Sequence, residues 1–136
     1  MLVTEILTYN PDILCLQVNV PYTAGFYLST SIYQEVDRLE KLVPTLEAGS
    51  YKTVYGSGPG KRHGCMVVYR DSIFQIVDHT VIEYDKLQVH EAGDERQCIG
   101  STRSTKNIGL IVALSSRDDP SKGYIVATTH LFWHPS

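Results

Sequence analysis

The chain's strongest constraint is a set of short, β-prone apolar runs separated by turn signals instead of helices. The last is the clearest, Tyr124-Ile125-Val126-Ala127-Thr128-Thr129-His130-Leu131-Phe132-Trp133-His134-Pro135. Val, Ile, Tyr and Thr after Gly123 read as a buried strand over Tyr124 to Leu131. His130 then falls at the strand's carboxyl end, where open α/β sheets place their chemistry. A lone His in such a run is more often a core side chain satisfied by the backbone.

Earlier runs repeat the signal. Asp12 to Gln17, Tyr51 to Tyr55, Gly64 to Tyr69, Phe74 to Glu83 and Ile108 to Leu114 all read as strands. Leu2, Val3, Ile6 and Leu7 have helical spacing that Asn10-Pro11 stops, so the chain opens inside a helix. That helix, turn and strand suggest a parallel α/β layer at the amino end. Val36, Leu39, Leu42, Val43 and Leu46 have the spacing of an amphipathic helix, with Pro44 expected to kink or restart it. Gly56 to Gly60 is a flexible loop; it lacks the Lys-Ser/Thr pair of a phosphate-binding P-loop. Asp85 to Lys106 is a polar loop, and Ser115 to Lys122 a surface turn. Few helices follow residue 50, so the fold class is an α/β (α+β) layered sandwich with a largely antiparallel sheet.

Composition excludes several alternatives. Twelve Lys and Arg against fifteen Asp and Glu, a net charge of -3, do not describe a generic basic nucleic-acid binder. An enzyme that handles nucleic acid through metal ions and a local basic rim stays open. Cys15, Cys65 and Cys98 lack metal-ligand spacing and read as reduced packing residues of an intracellular protein. No run is long enough to span a bilayer, and the amino terminus lacks a signal-peptide pattern.

Residues 18–34 stand apart. They contain no Asp, Glu, Lys or Arg, although charged residues make up 20% of the chain, and they have neither helical nor strand period. Joining Gln17 to Glu35 gives DILCLQ-EVDRLEKL. Val18-Asn19 is compatible with codons that open on GT, the 5′ splice signal, and Gln34 with CAG, the 3′ signal. The segment reads as an insertion, a retained intron in the gene; the competing reading is a genuine uncharged loop.

Four pieces occur in order: DILCLQ with a later EVD, KRHGCMVVY, TKNIGLIVAL and VATTHLFWHP. The set resembles the endonuclease/exonuclease/phosphatase superfamily, in the branch of the carbon-catabolite-repression deadenylases, Nocturnin, Angel and the yeast Ngl RNA exonucleases. The resemblance covers nearly all of the chain outside residues 18–34. It implies the amino-terminal part of a four-layer sandwich, here residues 1–136 as an incomplete domain. It also implies phosphodiester or phosphomonoester hydrolysis with Mg²⁺ or Mn²⁺, and in this branch an RNA 3′ end, poly(A) included, as substrate.

By the same resemblance Glu35, in Gln34-Glu35-Val36-Asp37, is the metal ligand, and His130 the active-site His facing the scissile phosphate. Read alone, Glu35 is equally a helix amino-terminal Glu favoured by the macrodipole. Pro135 matches a position that packs near the terminal base. Thr128 stands where the family often carries Asn. Asn107, His63, Lys61, Arg62, Arg103 and Lys106 are placed to line the mouth of the site; read alone, each is more simply a solvated rim residue.

The family's first-strand Asn, its GDFN motif and its closing SDH motif have no counterpart in the chain. One carboxylate and one His are too few to position a metal and activate water. The expectation is therefore a 3′-to-5′ RNA exonuclease fragment with little or no catalysis of its own. The alternatives are a non-catalytic interaction module and a small-molecule phosphatase of the same superfamily. The expected compartment is cytoplasm or nucleus.

Overall fold

The computed structural model describes residues 6, 8–19, 39–61, 63–87 and 105–130. Glu35, Arg62, Cys98, Arg103, Pro135 and nearly all of residues 18–34 lie outside them. Among the described residues Ile6, Thr8 and Tyr9 are helical, and six strands and a further α-helix follow in order: β1 (Ile13–Asn19), α1 (Leu39–Ala48), β2 (Tyr51–Ser57), β3 (His63–Arg70), β4 (Phe74–Glu83), β5 (Ile108–Ser116) and β6 (Gly123–His130). A 3₁₀ turn, Tyr84–Lys86, extends β4.

The strands form two three-stranded sheets, ordered β1-β3-β2 and β4-β5-β6. Each of their four pairings is antiparallel. This corrects the parallel layer read at the amino end. β1 runs against β3, which returns beside it after the β2–β3 hairpin, so no crossover to a parallel neighbour is made. The layered, mainly antiparallel sandwich stands.

Alternation explains the packing. In β3 the run Gly64 to Tyr69 is buried throughout. Cys65, Val67 and Tyr69 face the second sheet and meet Phe74, Ile108, Leu110, Val112 and Leu114. Met66 and Val68 face the other way and pack with Leu42, Leu46, Tyr51, Ile6 and Val18. Each large side chain so buried contributes about 1.5–3 kcal/mol. The helix holds the first sheet's outer face through the Leu42 and Leu46 ridge and continues through Pro44.

Two expectations of burial need correction. β6 is covered on one face: Ile125, on the other, is 73% exposed, and even the inward Tyr124, edge-on to Phe74, is 44% exposed. Among the described residues no layer lies over the outer face of the second sheet, so apolar content there does not become burial. Cys15 is exposed, whereas Cys65 is buried as expected. β1 also runs two residues past Gln17, with Val18 paired to Gly64 and Asn19 to His63.

The far end of the sandwich is tied by Arg117. Its backbone N–H donates to the Ile73 carbonyl at 2.8 Å, and its guanidinium meets Asp71 Oδ1 at 2.8 Å. The corner between β3 and β4 is thereby pinned, and the polar residues gather at the opposite end.

Candidate functional site

The β2–β3 hairpin brings the first sheet to that polar end. Gly58 is required there, since a Cβ would run into the Lys106 carbonyl. Gly60 takes φ +68°, the left-handed turn conformation that glycine adopts without penalty. The Lys61 N–H closes the turn on the Gly58 carbonyl at 3.0 Å. The backbone thus sets Lys61 beside the start of β5, and Lys61 Nζ donates to Asn107 Oδ1 at 2.8 Å. Asn107 is 8% exposed, so this partner is held by the surrounding structure.

His63 begins β3 and His130 ends β6, on different sheets. Their rings meet with centroids 4.5 Å apart and planes tilted by 42°. Both are half-buried. Burial first, then the charges of His130 and Lys61, hold His63 below the usual imidazole range. Burial first, then Lys61, does the same to His130. Both rings are therefore neutral near neutral pH. His130 Nδ1 is buried and has no hydrogen-bond partner among the described residues. A buried polar atom without a partner carries a desolvation cost, which a bound group can remove.

The strand end that carries His130 is fixed from both sides. Gln17 Nε2 donates to the Thr129 carbonyl at 3.1 Å, reaching across from β1. Tyr84 Oη donates to Thr129 Oγ1 at 2.7 Å, and Thr129 Oγ1 donates to the Ile108 carbonyl at 3.0 Å. Gly109 leaves room for this, since a Cβ there would lie 2.8 Å from the Tyr84 hydroxyl. One step inward, Thr128 lies beside the Cys65 thiol, which burial pushes up.

Of the residues named from the sequence, His63, His130, Asn107 and Lys61 come together. Lys106 lies beside them in the chain, and its N–H is taken by Asp85 Oδ2 at 2.7 Å. Glu35, Pro135, Arg62 and Arg103 lie outside the described residues. The supports Gln17, Tyr84 and Thr129 were missed. Gly109 facing Tyr84 was the available signal, since glycine inside a strand marks a close approach.

Two imidazoles, an ammonium and an amide can receive an oxyanion. They do not make a Mg²⁺ site on their own, since that ion takes oxygen ligands. No cluster of three or more His, Cys, Asp or Glu gathers among the described residues. No described helix is long and apolar enough to cross a membrane.

No protein-family model matches the chain. It is 35% identical over 136 residues to a probable RNA exonuclease of Schizosaccharomyces pombe, covering 99% of this chain and 22% of the relative. It is 33% identical over 138 residues to the probable RNA exonuclease NGL3 of Saccharomyces cerevisiae, covering 99% and 23%. To human 2′,5′-phosphodiesterase 12 it is 31% identical over 144 residues, covering 96% and 20%. The chain thus spans about a fifth to a quarter of the length of these relatives.

The structure of the human Nocturnin catalytic domain with bound sulfate anion matches with a TM-score of 0.64 at 22% identity, covering 98% of this chain and 41% of that one. ANGEL2, described as a 2′,3′-cyclic phosphatase, matches with a TM-score of 0.62 at 22% identity, covering 96% and 30%. These likenesses show the shared fold. With the relatives matched over nearly the whole chain, they bear out the resemblance to the endonuclease/exonuclease/phosphatase superfamily and its branch of Ngl RNA exonucleases, Angel and Nocturnin.

Proposed function

We propose that this chain is part of a metal-dependent RNA exonuclease that hydrolyses phosphodiester bonds from the 3′ end, with poly(A) among its substrates. The observation that supports the reading is the oxyanion-receiving cluster of His63, His130, Lys61 and Asn107, built at one end of the sandwich. It belongs to a chain that resembles RNA exonucleases along nearly its whole length.

In this reading His130 faces the scissile phosphate as a neutral imidazole. It donates a hydrogen bond to a phosphoryl oxygen where charge builds up. Lys61, steered by Asn107, adds a positive charge at the mouth, and His63 supports the His130 ring. Pro135 packs near the terminal base. Glu35 is the carboxylate we propose for Mg²⁺ or Mn²⁺. When bound, such an ion neutralises phosphoryl charge and activates water. One carboxylate, Glu35, and one active-site His are too few to position a metal and activate water, so the chain alone is expected to bind RNA ends more readily than cleave them. We also propose that residues 18–34 are an insertion; cDNA in which the Gln17 codon adjoins the Glu35 codon would bear this out.

The test is single-turnover cleavage of 5′-labelled RNA ending in an A-tract, with Mg²⁺, by the intact protein and its His130→Ala variant. The expected loss is about 10²-fold or more. An unchanged rate in a folded variant removes His130 from the site. Parallel 2′,5′-linked oligoadenylate, 2′,3′-cyclic phosphate RNA and a small phosphomonoester distinguish the substrate classes. Hydrolysis confined to the phosphomonoester would overturn the exonuclease reading.

A further inference from the structure

We infer that His63 and His130 act as one proton-sharing imidazole pair that, with Lys61, captures a tetrahedral oxyanion and takes up a proton as it does so. The inference rests on the reading above only in identifying that oxyanion with a substrate phosphate.

Three elements deliver the donors: the hairpin turn with Lys61, the start of β3 with His63 and the end of β6 with His130. The rings are in contact at 4.5 Å between centroids, too close for both to be protonated beside an ammonium without strong repulsion. Lys61 cannot swing away freely, because its ammonium is anchored on the buried Asn107 amide at 2.8 Å. The buried His130 Nδ1 has no partner among the described residues, so none of them fixes by a hydrogen bond at that nitrogen which ring nitrogen carries the proton.

The other described groups facing the pair do not neutralise it. Cys15 and Gln17 on β1, Cys65 on β3, Ile108 on β5 and Thr128 on β6 carry no charge at neutral pH. Glu83, across β5 from His130, is engaged by Lys86 at 2.8 Å. Asp85 holds the Thr105 and Lys106 amides at 3.1 and 2.7 Å.

Empty, the pair is therefore held neutral, in line with the direction of both imidazole shifts. A dianion arriving between the rings and the ammonium reverses the local field. One imidazole then gains a proton from solvent and becomes a second cation on the anion, and its neighbour stays neutral and donates. A metal cation would meet repulsion from Lys61 in the same place.

Sulfate is the right probe, because it is tetrahedral and does not titrate near neutrality. Calorimetric titration of the protein with sulfate, in two buffers of different ionisation enthalpy, should report uptake of about one proton per anion at most. Affinity should rise as pH falls from about 8 to about 6, by up to about tenfold per unit. His63→Gln should abolish the proton uptake and leave weaker, pH-independent binding. Lys61→Met should weaken binding and retain the uptake.

In the wild type, the imidazole proton resonances of both histidines should titrate at higher pH with sulfate than without, a readout that needs no variant. Sulfate binding without proton uptake, uptake that survives His63→Gln, or no binding at all overturns the inference. RNA cleavage without sulfate-linked uptake would overturn the pair and leave the nuclease reading in place. Uptake without RNA cleavage by the intact protein would do the reverse.

Discussion

The two sheets share strand number, antiparallel pairing and an apolar inner face, and differ in what lies outside. The first sheet is covered: Leu42 and Leu46 from α1 lie on Tyr51, Met66 and Val68. The second is open among the described residues, with Ile125 projecting from β6. The same kind of strand text therefore has two energetic meanings. In β3 both alternating sets are buried and both stabilise the fold. In β6 the inner set, Val126, Thr128 and His130, does the packing and the site work; of the outer set Thr129 anchors the strand end, while Ile125 contributes little. The site sits at the end opposite the Arg117 corner, where both sheets contribute side chains, so its geometry depends on the covered sheet holding the hairpin still.

The largest effect should come from the covered face. Leu46 is fully buried. Leu46→Ala removes its side chain and leaves a cavity between α1 and the first sheet, for an expected cost of about 2–5 kcal/mol. Urea unfolding measures it. A cost below about 0.5 kcal/mol would mean that the helix is dispensable and that the two sheets are energetically alike.

Gly58→Ala should come next. The added methyl meets the Lys106 carbonyl, so the hairpin must move off the start of β5. Overpacking of this kind costs about 1–3 kcal/mol. It should also loosen Lys61 from Asn107 and weaken sulfate binding. Lost stability with unchanged anion affinity would separate the hairpin from the site.

These two residues show how far the sequence could be read. The Leu46 spacing and the alternation in β3 carry their own period, and Phe74 to Glu83 was read at its observed limits. Strand direction carries no such local mark, because it depends on which partner returns alongside. The His63–His130 contact and the Lys61–Asn107 bond join different sheets, so no local spacing encodes them. The end of β1 was misjudged because Val18 and Asn19 continue the alternation without a stop signal. Val18 lies on the helix face with Leu42, whereas Gln17 reaches the Thr129 carbonyl. For Glu35 to follow Gln17 directly and reach the cleft, the chain would have to leave the strand at that point instead of occupying the Val18 slot.

A smaller effect should follow pH. Both site imidazoles are held below their ordinary range, chiefly by burial, so the folded protein binds fewer protons than the unfolded one between the folded values and about 6.5. Their contribution is fully present above that window, and stability should fall as pH drops through it. Urea midpoints at about pH 7.5, 6.5 and 5.5 would show the slope. His63→Gln with His130→Gln should flatten it, and an unchanged slope would place its origin elsewhere. Asp119, held low by its hydrogen bonds to Ser121 and Lys122, acts only at much lower pH.

The smallest effect belongs to the open face and completes the contrast with Leu46. Ile125 is 73% exposed and lies on the outer side of β6, away from the inter-sheet core. Replacing it with Thr keeps the β-branch that suits a strand and removes apolar surface from water without opening a cavity. Stability should stay within about 0.5 kcal/mol of the parent. Solubility should rise, because an exposed apolar residue on an edge strand favours edge-to-edge association. Light scattering on heating reads the second effect and urea unfolding the first. A loss comparable to that of Leu46→Ala would mean that in the intact protein another layer covers this face, making the two sheets equivalent.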